Sequence, residues 1–313
     1  MTTTTFALRG ITSSTTYADG HLRECRVTEP NTISTPYGDL VPRFSDPDER
    51  TKDVTSISFH DNGTVRSITL EQQTPIDTPI GPLPAELVTF HEDGSLNSLF
   101  PLNGRIGASW TEEDEATLAE KFTFEFSFGL ISSRIIGLRF YPGGEVRSLM
   151  LWPGEVVRVS TPLGVFPART GIRLFPSGRL QSFEPAVPIT LDTPVGEVLA
   201  YNVNALAVDT DGNSVEFDES GHLVRVVTSG DVIAVGASGM RRIRSRTQLA
   251  LVSDVAVKQP MALSFTDSEM SVDTGDRTET IPLAGHRILV MPDIDLANAA
   301  FPTGCDSCSV GCS

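Results

Sequence analysis

With 313 residues, 39% of them apolar and 20% charged, the chain holds enough material for a sizeable core and too much apolar content for disorder throughout. Its net charge of −16 works against nucleic acid and anionic membrane surfaces as partners, because both need local positive charge opposite them. The opening Met1-Thr-Thr-Thr-Thr-Phe-Ala-Leu-Arg-Gly10 lacks a basic start followed by an apolar run, and no stretch approaches the roughly 18–20 apolar residues of a membrane helix. Four cysteines, three of them crowded at the end, do not make a secreted disulfide framework, so the expected compartment is the cytoplasm.

Along the chain one short pattern keeps returning. It begins loosely as Tyr17-Ala-Asp-Gly20-His-Leu and becomes clear in Ile57-Ser-Phe-His-Asp-Asn-Gly63-Thr-Val-Arg-Ser67. Val88-Thr-Phe-His-Glu-Asp-Gly94-Ser-Leu-Asn-Ser98, Leu138-Arg-Phe-Tyr-Pro-Gly-Gly144-Glu-Val-Arg-Ser148 and Ile172-Arg-Leu-Phe-Pro-Ser-Gly178-Arg-Leu-Gln-Ser182 follow, then a looser copy at Phe217-Asp-Glu-Ser-Gly221-His-Leu. Each copy is an apolar strand, a turn ending in glycine, and a strand that resumes with a β-branched residue or leucine. Glycine supplies the positive φ of a tight hairpin, so six hairpins of one design are expected.

A second pattern lies between the hairpins: Thr35-Pro-Tyr-Gly38, Thr78-Pro-Ile-Gly81, Thr161-Pro-Leu-Gly164 and Thr193-Pro-Val-Gly196, with Phe126-Ser-Phe-Gly129 in the place of a further copy. Proline second and glycine fourth suit a type I turn. The spacing between hairpin glycines is uneven, which argues against a strict solenoid. Beyond Ser67 and its equivalents Ser98, Ser148 and Ser182 the apolar phase slips, which fits either a β-bulge at the serine or a small residue where strands crowd.

One helix is expected near 111–122: Thr111 caps it, acids fill its first turn, and Ala116, Leu118, Ala119 and Phe122 follow at helical spacing. After residue 230 the repeat fades, with strands expected over 229–246, 250–257 and 283–290. The expected architecture is all-β, a repeated β-hairpin meander forming an open repeat sheet or irregular solenoid. Its expected divisions are 1–125, a first set of hairpins ending in the helix; 126–230, a second set; 231–292, a C-terminal β extension; and 293–313, a flexible cysteine-containing tail.

The Phe/Tyr-x-x-Asn/Asp-Gly-x-Leu/Val-x-Ser units resemble the repeats of MORN-like, YwqK-type antitoxin and related β-repeat proteins. The whole chain also resembles a group of bacterial proteins carrying the Thr-Pro-x-Gly and Phe100-Pro-Leu-Asn-Gly104 signatures. The resemblance implies a β-meander or open repeat sheet and a scaffold or partner-binding role.

The strongest chemical signal is the end, Gly304-Cys305-Asp-Ser-Cys308-Ser-Val-Gly-Cys312-Ser313. Cys305 and Cys308 have the spacing that lets two thiolates reach one soft metal or close a redox disulfide, and Cys312 adds a third. A closed zinc site or a cubane iron–sulfur cluster wants four ligands, the fourth being Cys25, a histidine or a residue of another protein. His60 and His91 share one repeat position, where two imidazoles on adjacent units could bind a metal; a position occupied by His, Tyr and Phe in turn is more often a half-exposed ring packing along the sheet. In Met240-Arg241-Arg242-Ile243-Arg244-Ser245-Arg246, a strand would project Arg242, Arg244 and Arg246 from one face, to hold an anion or an acidic partner or to guard an edge. Asp209-x-Asp211-Gly212-Asn213 fails the calcium-loop pattern and reads as a turn, and Glu112 to Glu115 read as helix-start charges. No G-x-S-x-G elbow, phosphate loop, H-E-x-x-H or dinucleotide fingerprint occurs. The expected function is therefore a non-catalytic scaffold or binding protein with a protein partner, whose Cys305, Cys308 and Cys312 hold zinc or an iron–sulfur cluster. The alternatives are a dithiol redox or sulfur-handling enzyme using Cys305 and Cys308, and a protein- or glycan-binding repeat surface with an incidental tail.

Overall fold

The computed structural model describes residues 7–51, 54–206, 210–249 and 256–292. Among them the six glycine turns all form, each with the same pair of backbone hydrogen bonds. In the Gly63 hairpin His60 N donates to Thr64 O and Gly63 N donates to His60 O; the Gly20, Gly94, Gly144, Gly178 and Gly221 hairpins repeat this pair. All six glycines have positive φ, between 77° and 93°.

The register slips in every hairpin, three residues after the glycine and not at the serine. Phe59 faces Val65 while Ser58 faces Ser67, so Arg66 is the bulged residue. Arg23, Asn97, Arg147, Gln181 and Val224 are bulged in the same way. The bulge moves the next residue inward again, which puts Ser98, Ser148 and Ser182 in the interior as small side chains between close strands.

The Thr-Pro-x-Gly turns are also hairpins. Thr and Gly are the last facing pair at Thr35/Gly38, Thr78/Gly81, Thr161/Gly164 and Thr193/Gly196, and Phe126/Gly129 match them. The threonine hydroxyl makes the turn locally determined. It donates to the glycine carbonyl at 2.6–2.9 Å and accepts the N–H of the residue after proline at 3.1–3.3 Å in all four copies.

Both turn types reverse the chain, and the result is an open antiparallel meander. One continuous ladder runs Ile11–Thr16, Leu22–Val27, Ile57–Phe59, Val65–Thr78, Gly81–Phe90, Leu96–Phe100, Gly129–Phe140, Val146–Leu151, Gly164–Leu174, Leu180–Pro185, Val215–Phe217, Leu223–Thr228, Met261–Phe265, Glu269–Asp273 and Thr278–Pro282. Strands Lys121–Phe126 and Val157–Thr161 join it along the arms that the Thr-Pro-x-Gly-type turns close. Apolar residues of the arms, among them Ile33, Leu40, Ile76, Leu83, Phe124, Ile131, Val159 and Leu191, share one core with Ile68, Leu99, Leu138, Leu149, Ile172 and Phe183 of the ladder. Each such side chain contributes about 1.5–3 kcal/mol by leaving water, so arm and ladder stabilise each other.

Two expectations need correction in extent. The helix begins as expected, Thr111 and Asp114 forming a reciprocal cap, but it spans only Glu112–Ala116. Phe122 instead belongs to strand Lys121–Phe126, because Phe122, Phe124 and Phe126 alternate with a period of two and their rings neighbour one another, 6.3 and 6.0 Å between centroids. Strands Met261–Phe265, Glu269–Asp273 and Thr278–Pro282, unmarked by either motif, extend the ladder. Residues 250–255, within an expected strand, lie outside the described residues. Among the described residues no helix is long and apolar enough to cross a membrane.

Candidate functional site

Three strands, Val65–Thr78, Gly129–Phe140 and Gly164–Leu174, each join a glycine hairpin to an arm and break register or change partner on the way. Thr69 faces Leu87 and Thr74 faces Ala85, leaving Glu86 opposite the break. Gly129–Phe140 changes partners between Arg134 and Ile135. Arg169 faces Glu184 and Ile172 faces Phe183, with Thr170 at φ 58° between them. A carboxylate sits at each corner and accepts backbone N–H groups there, from Asn103 for Glu86, from Arg134 for Glu155, and from Asn202 and Ser214 for Glu184.

The Glu86 corner has the most chemistry. Arg50 Nη1 and Nη2 donate to Glu86 at 3.0 and 2.7 Å, and its Nε and Nη2 donate to Glu115 at 2.7 Å each. Glu115 also accepts Gly104 N at 2.9 Å and Trp110 Nε1 at 2.6 Å, while Glu86 accepts Asn103 N at 2.8 Å. Burial pushes the Glu115 carboxyl up, but the bonds from Arg50, Trp110 and Gly104 outweigh it and hold the group below its ordinary range. The hydrogen bonds with Glu115, ahead of those with Glu86, raise the Arg50 pKa. A small cleft of about 90 Å³, open to solvent and lined by Arg43, Arg50, Glu71, Gln73, Glu86 and Asn103, lies beside the cluster. Two bidentate pairs on one guanidinium form a clamp that docks residues 101–116 onto the bend. Glu115 belongs to the acidic first turn of the helix as expected, but unlike exposed Glu112, Glu113 and Asp114 it is buried and turned inward to Arg50.

At the second corner Glu155 accepts Arg134 Nε at 2.8 Å and Ser133 Oγ at 3.1 Å. At the third, Glu184 is fully buried and accepts Asn202 N at 2.9 Å and Ser214 N at 2.8 Å, with Arg169 Nη2 at 3.9 Å. Burial pushes its carboxyl up to about 7, against the pull of those N–H groups and of Arg169. The corner acids were missed in the sequence; the signal at Glu184 is a lone charge in an otherwise uncharged strand, between Phe183 and Pro185.

His60 and His91 are not brought together around a common centre. His60 Nε2 lies 3.0 Å from Phe90 O and His91 Nε2 3.1 Å from Phe140 O, each ring tying its hairpin to the next. Tyr17 and Tyr141, at the same repeat position, donate to Phe59 O and Leu174 O at 2.8 and 2.9 Å. The arms reach one unit further. Counting hairpins in order, the arm after the first meets the third (Leu96 N donates to Tyr37 Oη, 2.8 Å), and the arm after the third meets the fifth (Ser127 Oγ donates to Gly178 O, 2.7 Å). The arms after the second and fourth bring Pro79 and Pro162 against Gly144 of the fourth hairpin and Gly221 of the sixth. A Cβ at those glycines would lie 3.3 and 3.0 Å from the proline Cγ.

Strand Gly239–Ile243 ends before Arg244, so Arg242, Arg244 and Arg246 do not share one strand. Arg242 pairs with Asp231, Arg246 lies 3.7 Å from Asp276, Arg241 pairs with Glu279, and Arg244 is exposed. Asn213 is buried, donating to Gly171 O and Ser182 Oγ, while Asp209 lies outside the described residues. Cys305, Cys308 and Cys312 also lie outside them. Cys25 lies in the core of strand Leu22–Val27, where burial pushes its thiol up to about 11. Among the described residues no group of three or more His, Cys, Asp and Glu side chains is arranged to hold a metal ion. Comparison with known proteins gives no matching protein-family model, no matching curated protein and no matching solved structure.

Proposed function

We propose that this chain is a non-catalytic, cytoplasmic β-repeat platform that binds a protein partner, and that its Cys305, Cys308 and Cys312 tail takes up a soft metal or an iron–sulfur cluster. The observation that carries the reading is the use made of the reactive-looking side chains. His60, His91, Arg50, Glu86, Glu115 and Glu184 each hold one piece of the repeat against another, which suits a carrier better than a catalyst. Three thiols in eight residues are a soft donor set that fits zinc or an iron–sulfur cluster. A fourth ligand from Cys25 would have to leave the core, so a residue of another protein is the better completion and favours delivery of the metal to a partner. The resemblance to MORN-like repeats points the same way, toward a scaffold.

The test is elemental analysis with an absorbance spectrum on protein purified without oxygen, beside a chain with all three tail cysteines changed to serine. Stoichiometric zinc or iron lost in the variant supports the reading. Metal equal in both samples, or absent from both, sinks it. Metal-free protein with a reversible Cys305–Cys308 disulfide would instead favour the dithiol redox reading, which rests on the C-x2-C spacing.

A further inference from the structure

A three-stranded sheet stands apart from the long ladder: Gly239–Ile243, Asp231–Gly236 and Arg287–Met291, in that spatial order. Val232, Ala234, Ile243 and Val290 turn into the core. The register sets the composition of the opposite face. Ile233 faces Arg242 on one side and Leu289 on the other; Val235 faces Met240 and Arg287; Asp231 faces Met291. Four of these apolar residues are open to solvent, Met240 at 73%, Leu289 at 52%, Val235 at 44% and Met291 at 42%.

Apolar side chains that are cross-strand neighbours make a contiguous patch, unlike the scattered exposed residues of an ordinary surface. Its rim is basic. Arg242 and Arg287 lie on the face, and Arg244 and Arg246 continue from the end of Gly239–Ile243, while the chain as a whole carries −16. Asp231 answers Arg242 and Asp276 lies 3.7 Å from Arg246, which leaves the positive charge of Arg244 and Arg287 in excess at the rim. Both outer strands, Gly239–Ile243 and Arg287–Met291, have one strand neighbour each among the described residues, so each presents an edge.

We infer that this face docks an extended acidic–apolar segment of a partner protein, leucine-like side chains covering Ile233, Val235, Met240 and Leu289, and carboxylates meeting Arg242 and Arg287. Charge complementarity selects the partner: a basic patch on an acidic protein repels another basic surface and gathers acidic ones. An extended segment fits because it adds to a sheet edge by main-chain hydrogen bonds while alternate side chains lie on the face. The inference names the partner class within the platform reading and rests on that reading.

The experiment uses the full chain and a short fluorescein-labelled peptide of alternating aspartate and leucine, with a lysine–leucine peptide as control, read by fluorescence anisotropy. The acidic peptide is expected to bind, more weakly as salt rises, and the basic one not to bind. Met240→Thr with Leu289→Thr keeps strand-compatible residues at exposed positions and is expected to weaken binding roughly tenfold or more. Arg287→Gln, which leaves the apolar patch intact, is expected to weaken binding and flatten its salt dependence. Equal binding of both peptides, or binding unchanged in these variants, overturns the proposal. So does self-association in sedimentation that the Thr variants abolish, which would give the face to a second copy. Binding seen only when Asp293 and Asp295 are changed to lysine also overturns it, by giving the face to the chain's own segment. Tail metal measured in the unmutated protein separates the two ideas: no peptide binding by metal-loaded protein overturns the docking face alone, and peptide binding by metal-free protein overturns the tail reading alone.

Discussion

The His60 ring meets the carbonyl of Phe90 at 3.0 Å, and the two belong to successive hairpins. Tyr17 to Phe59, His91 to Phe140 and Tyr141 to Leu174 repeat the relation, always from three residues before one turn glycine to four before the next. Histidine and tyrosine stand in for one another there because each offers a flat ring with a donor at its far end. His60→Ala is expected to cost about 1–2 kcal/mol, since it leaves a strand carbonyl without its donor, and His60→Tyr to cost less than about 1 kcal/mol. Urea denaturation of both variants checks this; an alanine variant as stable as the tyrosine one would show that the ladder contributes nothing.

The reach of the arms to the second hairpin along is tested by two glycines. Gly178 has φ 77° with nothing near a would-be Cβ, whereas Gly221 has φ 91° and Pro162 Cγ at 3.0 Å. Gly178→Ala is expected to cost about 1 kcal/mol for the backbone alone. Gly221→Ala is expected to cost about 1 kcal/mol more, because the arm must give way, and changing Pro162 to Ala as well is expected to recover that part. Thermal melts of the three variants give the comparison.

Removing Arg50 leaves two acidic groups, Glu86 and Glu115, facing each other's field at a half-buried corner. Arg50→Ala is expected to destabilise by about 3–5 kcal/mol. The Glu115 pKa lies below the ordinary value in the fold, so its contribution is present above the unfolded value and lost as pH falls through the folded one. The stability difference between wild type and Arg50→Ala is therefore expected to shrink in acid below about pH 4.5. Denaturant midpoints across that range decide it.

Glu184 has the opposite sign. Its pKa rises from 4.5 to about 7, so its contribution is full below the unfolded value and declines as pH rises through the folded one. Over that window it is expected to lower stability by on the order of 3 kcal/mol. Glu184→Gln is expected to flatten the dependence. It is also expected to be less stable at acid pH, because both carboxyl oxygens accept backbone N–H groups and an amide can match only one of them. A pH series of urea melts, with the variant as steep as wild type, would disprove the assignment.

The turns were legible because their causes are local. Asn62-Gly63 and its relatives supply positive φ, and Thr78 closes its own turn through a hydroxyl three residues from the carbonyl it binds. Thr266-Asp-Ser-Glu269 makes the same hydroxyl contacts without proline or glycine, and for that reason went unseen. The placing of the phase slip one residue too late has a similar cause: apolar alternation reports that a strand changes face, while only the partner strand identifies the unpaired residue, as Ser58 does by facing Ser67 and skipping Arg66.

The amino-acid sequence by itself determined an all-β hairpin meander of two turn types, because glycine φ, threonine capping and a period of two are properties of a few neighbouring residues; that the sheet stays open was decided by the tertiary structure. Only the tertiary structure decided that His60 reaches Phe90, that Tyr37 reaches Leu96 and that Glu115 turns inward to Arg50. Those partners lie 30 to 65 residues apart. Local preference carries no information across such distances; the order of strands in the sheet and the shared core beneath the arms bring them together.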